Sequence, residues 1–158
     1  MADVQQIARY KLSASARNLV PRELRRLERI LHPDEQLVNL AQGRFEDGIG
    51  LIAATDRRLI FLGRQLVIEE RTFRAQGVEF SYASITLTAQ ERQLSGQLVV
   101  QEGRRKMLLS EITPKERASE IADYAGQRIV EERKTKRAAV RKAQTAGGSA
   151  LPLPAMLA

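Results

Sequence analysis

Residues 50–61 read GLIAATDRRLIF, and this stretch is the clearest indication of the fold in the sequence. Two apolar runs flank a polar turn that contains Asp56, a favoured turn residue because its side chain bonds to nearby backbone groups. Arg57 and Arg58 are predicted to be solvated charges at a strand end or partners of Asp56 or Glu46, with ligand contact as the alternative. The apolar residues that follow occupy successive positions, which is typical of a strand buried on both faces. The stretch therefore predicts a central hairpin of a sheet.

Short apolar runs with strand-like spacing extend from this hairpin in both directions, from about residue 36 to residue 111. Val78, Phe80 and Tyr82 alternate with polar residues, as expected of a strand with one buried face. The runs are separated by turn-forming segments: Glu46-Asp47-Gly48, Gln76-Gly77, Ser95-Gly96 and Glu102-Gly103. About seven such strands with local turns predict an antiparallel sheet that must curl or close to protect its edges.

Helical spacing flanks the sheet region on both sides. Residues 4–20 have the apolar spacing of one amphipathic helix, with a targeting peptide as the alternative, and Pro21 fits the first turn of a second helix. Thr113 and Pro114 suit the N-cap and first position of a closing helix. The predicted buried stripes are Leu24, Leu27 and Leu31 in the second helix, and Ala118, Ile121, Ala122, Ala125 and Ile129 in the closing helix.

This order of elements resembles that of the bacterial pleckstrin-homology-like (PH-like) domains. Residues 50–61 resemble the family's hairpin G-x-L-x-x-T-[DN]-x-R-[LI]-[IV]-F, and residues 80–85 (FSYASI) resemble its I-P-Y-x-x-I motif, with Ser81 in place of the proline. Residues 96–100 and 112–115 are similar to its closing segment. The resemblance implies an α+β fold: a curled antiparallel sheet or split barrel of about seven strands, capped by a C-terminal helix and preceded by N-terminal helices. It also implies a bacterial, non-catalytic binding or scaffold module.

The chain of 158 residues divides into four predicted parts: a helical arm (1–31), a PH-like domain (32–130), a basic helical extension (131–146), and a flexible hinge with an apolar, proline-containing tail (147–158). Its 26 Lys and Arg against 19 Asp and Glu give a net charge of +7. Residues 1–31 and 114–158 each carry +4, whereas residues 32–113 carry −1. The excess charge therefore lies on the flanks, whereas a nucleic-acid-binding domain usually concentrates it on the folded body.

Several classes of function are disfavoured by the residues themselves. The chain has no cysteine, which excludes disulfides, thiol nucleophiles and nearly all zinc fingers. Its single histidine, His32, adjoins Asp34 and Glu35, but no motif places a nucleophile or a phosphate-binding glycine loop. No apolar run approaches the roughly 20 residues of a membrane span, and the amino terminus lacks the apolar core of a secretory signal, so we expect neither feature. We expect a cytoplasmic protein without catalytic residues, cofactor, metal or small-molecule substrate.

A protein partner or a homo-oligomer is the first expectation for binding. Ala139 and Val140 on the basic helix are small enough to let another helix approach. The tail is predicted to be a docking peptide that uses Leu151, Leu153, Met156 and Leu157. The alternatives that need no partner are a solvated helix and a disordered chain end.

Contact of the basic segments with an anionic membrane or a nucleic acid is the second expectation. Residues 42–48 offer one arginine beside two carboxylates, which argues against a phosphate cradle in the first hairpin. The candidate anion-binding residues are Arg104, Arg105 and Lys106 in a sheet turn, and Arg133, Lys134, Lys136, Arg137, Arg141 and Lys142 in the basic helix.

Overall fold

The computed structural model describes residues 3–45, 48–63, 65–68, 71–74 and 78–150. Its helices are α1 (Val4–Lys11), α2 (Ala14–Leu19), α3 (Pro21–Ile30) and α4 (Glu116–Ala150). Its strands are β1 (Leu37–Phe45), β2 (Gly48–Thr55), β3 (Arg58–Gly63), β4 (Gln65–Ile68), β5 (Arg71–Arg74), β6 (Val78–Ser81), β7 (Thr86–Glu91), β8 (Gly96–Glu102) and β9 (Arg105–Ile112). A short 3-10 turn, Tyr82–Ser84, lies between β6 and β7. The predicted order of helices, strands and closing helix is confirmed.

Seven of the described strands form one antiparallel sheet in the order β6-β3-β2-β1-β9-β8-β7, and β4 pairs with β5 in a separate hairpin. The halves of the large sheet are joined between β1 and β9, where the described strands share one ladder pair, Arg44 and Ser110. Gly43 permits this close approach, because a Cβ there would lie 2.7 Å from the Leu109 side chain. The edge strands of the sheet are β6 and β7, and α4 contacts β7 and the 3-10 turn between them. The predicted capping of the sheet by the last helix is confirmed.

Each face of the sheet carries its own hydrophobic cluster. The inner cluster, under α4, contains Phe61, Phe80 and Tyr82 together with Ile121 of the helix. The outer cluster lies between the N-terminal helices and β1–β3, and it contains Val4, Ala8, Leu24, Leu27, Leu40, Leu51, Ile60 and Leu62 among others. Residues 59–63 of β3 are all buried, because successive side chains point into different clusters. The predicted two-sided burial of this strand is confirmed.

The segment before Pro21 forms two helices, so the prediction of one continuous helix over residues 4–20 was wrong. The break lies at Leu12 and Ser13, where the Ser13 side chain accepts a hydrogen bond from the Ala16 N–H at 3.1 Å. This cap begins a new helix because a serine side chain competes well with helical backbone bonding. Leu12 is itself buried, so the break does not interrupt the packing against the sheet.

The closing helix begins at Glu116, two residues later than the predicted start at Pro114. The carbonyls of Pro114 and Lys115 accept the first turn-like hydrogen bonds, from Arg117 and Ala118. The predicted stripe is confirmed: Ala118, Ile121 and Ala125 are fully buried, and Ala122 and Ile129 pack against the same cluster.

The far end of α4 agrees with the prediction in one respect and differs in another. The backbone is helical without a break across residue 131, as expected for the predicted helical extension over residues 131–146. It remains helical through Gly147 and Gly148, where the sequence predicts a flexible hinge. Four alanines between residues 138 and 146 favour this continuation, because alanine is the best helix former and each added residue gains one backbone bond.

The contact between α4 and β8 provides a test of the packing. A Cβ on Gly96 would lie 2.6 Å from the Lys115 carbonyl oxygen and 2.7 Å from the Ala118 Cβ. We predict that Gly96→Ala lowers the free energy of unfolding by about 1–3 kcal/mol, because the helix must shift away from the strand. In urea unfolding at neutral pH, a Gly96→Ala protein as stable as wild type would contradict this packing.

Gly126→Ala is the matched control, since a Cβ at Gly126 meets nothing within 4 Å and the residue lies inside α4. It is expected to raise the free energy of unfolding by about 0.5–1 kcal/mol, because alanine favours the helix over the unfolded chain.

Candidate functional site

Arg58, at the start of β3, is held by a network of internal contacts. Its guanidinium donates two hydrogen bonds to the Glu35 carboxylate, both at 2.9 Å, and one to the Ile30 carbonyl oxygen at 2.9 Å. It also forms an ion pair with Glu79 in β6. Glu35 is 1% exposed and accepts a further hydrogen bond from the Thr55 hydroxyl at 2.6 Å. The network joins the end of α3 to β2, β3 and β6, so Arg58 has a structural role in connecting these elements.

The neighbouring Arg57 pairs with Asp34 at 2.5 Å. The predicted pairing with Asp56 was wrong, because Asp56 instead accepts a hydrogen bond from the Gln36 N–H at 2.9 Å. The other predicted partner, Glu46, lies outside the described residues. Both guanidiniums of the turn are thus engaged within the fold, which favours the structural interpretation of this motif over ligand contact.

Tyr82, from the motif FSYASI, fixes the same corner from the other side. Its hydroxyl donates a hydrogen bond to the Thr55 carbonyl oxygen at 2.6 Å, and its ring packs edge-on against Tyr124 of α4. Burial raises the pKa of Tyr82 far above its ordinary value, so the hydroxyl stays a donor. The two motifs that carry the family resemblance therefore meet at one buried corner of the sheet.

The electrostatics of the corner are dominated by Glu35. Burial alone would raise its pKa, but hydrogen bonds from Arg58, Thr55 and the His32 N–H, with the attraction of the Arg58 charge, lower it from 4.5 to about 2. The pKa of Arg58 is raised in turn, mainly by its hydrogen bonds to Glu35. Both groups are therefore charged at neutral pH.

The predicted basic triplet in the β8–β9 turn is divided by the structure. Arg105 pairs with Glu102 at 2.9 Å and lies over the Phe80 ring, 4.7 Å from its centroid. Arg104 and Lys106 are exposed on either side.

Five of the predicted anion-binding and partner-binding residues line one cavity on α4. We call residues 133–150 the distal half of α4; side chains 133–144 are all exposed. Arg133 still contacts the domain, because its guanidinium donates a hydrogen bond to the Ile85 carbonyl oxygen at 3.3 Å. An open cavity of about 450 Å³ is lined by Arg133, Lys136, Arg137, Val140, Arg141 and Gln144, with Ala83 of the 3-10 turn. Lys134, Ala139 and Lys142 are exposed elsewhere on this half.

The remaining predicted partner-binding residues are Leu151, Leu153, Met156 and Leu157. They lie outside the described residues, so their role as a docking peptide stays a prediction.

A second basic surface lies on the outer side of α3, and the residue-level predictions missed it. Arg22, Arg25 and Arg29 are exposed. With Glu23, Arg26, Leu62 and Gly63 they line an open cavity of about 360 Å³. We call Arg22, Arg25, Arg26 and Arg29 the arginine face. Its position follows from the helical period, because Leu24 and Leu27 use the opposite side of α3 to cover the sheet.

Comparison with known proteins identifies the family. Residues 31–126 match the family model described as a bacterial PH domain, and the chain belongs to this family. PH-like domains are generally non-catalytic modules that bind proteins or lipids. The match leaves out α1, α2, all of α3 and the distal half of α4, so the helical segments that carry both basic surfaces lie outside it.

A solved structure, the pleckstrin homology domain from Shewanella amazonensis SB2B, is similar to the chain at 14% sequence identity and a TM-score of 0.44, over 70% of this chain and 87% of that chain. None of the curated proteins compared with the chain matches it. Within the described ranges, no helix is both long and apolar enough to cross a lipid bilayer.

The Glu35 pKa predicts a pH dependence of stability. The folded pKa of about 2 lies below the unfolded value of 4.5, so the stabilisation by this carboxylate is complete above about pH 5 and is lost as the pH falls towards 2. We expect about 3 kcal/mol of unfolding free energy to be lost over this range through Glu35. Glu35→Gln should be less stable than wild type at pH 7, because the Arg58 charge loses its partner, and its stability should fall less steeply in acid.

The measurement is urea unfolding between pH 7 and pH 2. Asp123→Asn, which removes an exposed carboxylate of α4, serves as the control and should keep the wild-type slope. If the unfolding free energy of Glu35→Gln fell with pH as steeply as that of wild type, the Glu35–Arg58 pair would not be the cause of the acid sensitivity.

Proposed function

We propose that this chain is a non-catalytic, cytoplasmic PH-like binding module that binds an acidic protein partner along the distal half of α4. The observation that carries the proposal is the cluster of Arg133, Lys136, Arg137 and Arg141 around one open cavity on a helix that extends beyond the domain core. Membership of a family of binding modules supports the general role.

The exposure of the distal half is the first supporting argument. Core contacts of α4 end at Ile129, and side chains 133–144 are exposed on every side of the helix. A helix without a packed face is only marginally stable in water, because most helical stability in proteins comes from tertiary packing. A helix of this kind is typical of a segment that gains its packing from a partner.

The arrangement of side chains gives the chemistry of that partner. Arg133, Arg137 and Arg141 recur every four residues and form one basic edge. Ala139, Val140 and Ala143 form a narrow stripe beside them, and residues this small let another backbone approach closely. The helix therefore suits a partner groove with an apolar floor and a carboxylate-lined rim.

The same charges disfavour two other occupants. Residues 133–158 contain six basic residues and no aspartate or glutamate, so pairing of this segment with a second copy of itself would bring like charges together. The stripe contains nothing larger than valine, which leaves too little apolar area to enter a lipid bilayer. A different, acidic protein can pair with the basic residues and also pack against the stripe of small residues.

The carboxylates near the single histidine support the non-catalytic role. Asp34 and Glu35 bind Arg57 and Arg58 within the fold, and His32 is an exposed turn residue.

The tail at residues 151–158 belongs to the same proposal: it extends the contact with the partner as an apolar docking peptide. Its sequence, LPLPAMLA, carries prolines that reduce the entropy lost on binding.

We predict that the double charge reversal Arg137→Glu/Arg141→Glu weakens partner binding at least roughly tenfold, because close interfacial charge pairs contribute about 1.5 kcal/mol or more. The measurement begins with affinity capture by the immobilised full-length chain. The captured protein is then purified, and its dissociation constants for wild type and variants are compared at two salt concentrations.

The matched control is Arg104→Glu/Lys106→Glu, which makes the same change of charge at two exposed residues of the β8–β9 turn. It should leave the dissociation constant within about threefold of wild type, a difference below 1 kcal/mol. Equal weakening by both pairs, or a partner that binds the α4 reversal unchanged, would refute the proposal. Sedimentation of the wild-type chain should show a monomer, and a dimer lost in the α4 reversal would assign the surface to self-association instead.

A further inference from the structure

We infer that the outer surface of the N-terminal helices is a docking face for an anionic lipid bilayer. This inference is independent of the partner proposed for α4, because it rests on different residues on another side of the sheet. Its elements are the arginine face of α3 and two exposed aliphatic residues beside it, Leu19 and Ile49.

Three arginines of this surface carry charges that no ion pair of the described chain neutralises. Arg22, Arg25 and Arg29 are exposed, and in the described part of the chain none of these three forms an ion pair. The nearest acidic residues on α3 are few: Glu23 lines the same cavity, and Glu28 accepts a hydrogen bond from the Gln5 side chain at 2.6 Å. Cations left unpaired over one surface attract an anionic partner.

The basic surface continues onto the other two N-terminal helices. Arg9 and Arg17 line an open cavity of about 310 Å³ together with Arg25 of α3. The Arg17 guanidinium is held in place by the carbonyl oxygens of Arg9 and Leu12 at 3.4 and 3.0 Å. The arginines of three short helices thus form one surface, whose inner side is committed to the outer hydrophobic cluster.

Apolar side chains are exposed on the same surface. Leu19 at the end of α2 is 51% exposed, and Ile49 at the start of β2 is 37% exposed. Both line a cavity of about 380 Å³ that also includes Arg22 and Pro21. Two aliphatic side chains from different elements therefore stand next to an unpaired guanidinium.

This combination selects the class of partner. A protein surface that lies on a bilayer typically combines two kinds of side chain. Aliphatic side chains enter the acyl region, and neighbouring arginines contact the headgroup phosphates. A nucleic acid would use the arginines but would gain little from Leu19 and Ile49, since it offers chiefly phosphates to such a surface. The apolar pair is what favours a lipid surface over other polyanions.

Flotation of the full chain with vesicles tests the inference. The probes are vesicles of phosphatidylglycerol mixed with phosphatidylcholine, and vesicles of phosphatidylcholine alone. Wild type should bind the anionic vesicles only, and more weakly at high salt. Arg22→Gln/Arg25→Gln/Arg29→Gln should weaken binding roughly 100-fold, because each basic residue near an anionic surface contributes about 1 kcal/mol.

Two further variants separate docking by this face from general attraction. Lys134→Gln/Arg137→Gln/Lys142→Gln removes the same charge from the distal half of α4 and should weaken binding less than about fivefold. Leu19→Ser/Ile49→Ser leaves the charge unchanged and should weaken binding roughly tenfold through lost apolar burial. The double variant Arg22→Gln/Arg29→Gln repeats the test with a smaller change, and thermal unfolding checks that each variant is folded.

Three results would overturn the inference. Equal weakening by the α3 and α4 charge variants would show attraction without a docking face. Unchanged vesicle binding by Leu19→Ser/Ile49→Ser would show that the apolar pair does not enter the bilayer. Vesicle binding that is absent in wild type, while a DNA duplex binds and is lost with the α3 variant, would assign the surface to nucleic acid.

Discussion

Strands β2 and β3 are buried on both of their faces, and this burial constrains the rest of the molecule. Leu59 and Phe61 point into the inner cluster, whereas Ile60 and Leu62 point into the outer one. A sheet with two apolar faces needs two covers, since each exposed aliphatic side chain would forgo about 1.5–3 kcal/mol of burial. The closing helix α4 supplies one cover, and the three N-terminal helices supply the other.

The need for an outer cover explains where the basic surfaces lie. α3 must turn Leu24 and Leu27 towards the sheet, so its arginines are left on the solvent side. α4 must turn Ala118, Ile121 and Ala125 inwards over the sheet, and further along the helix side chains 133–144 are all exposed. The side chains of the nearly neutral region between α3 and α4, including those of the Arg58 network, contact one another within the fold. The two proposed binding surfaces therefore lie on the elements that flank the family fold.

Most of the fold could be predicted from local sequence patterns. The alternation of Val78, Phe80 and Tyr82 and the continuous apolar run after Arg58 reflect the period of two that every strand imposes on its side chains. The stripe that begins at Ala118 reflects the helical period in the same way. Features of this kind depend on residues near each other in the chain, which is why the sheet, the capping helix and the family resemblance were all accessible.

The errors arose where small local preferences compete or where partners are distant in sequence. The break at Ser13 and the helical path through Gly147 each depend on a balance of about 1 kcal/mol between alternative backbone bonds. Glu35 and Glu79 lie more than twenty residues from Arg58 on either side, so no local pattern pairs them with it. The cations of α4 could be named from composition, but the aliphatic neighbours of the α3 arginines come from α2 and β2 and required the folded chain.

The length of α4 has a mechanical consequence. Because one helix of 35 residues runs from Glu116, past the core contacts at Ala118, to Ala150, the described backbone contains no break at which its outer part could reorient. A rod of this kind extends roughly 25 Å beyond residue 133 at 1.5 Å per residue. A partner that packs on this outer part, and so stabilises the helix, would be held at a fixed distance from the sheet.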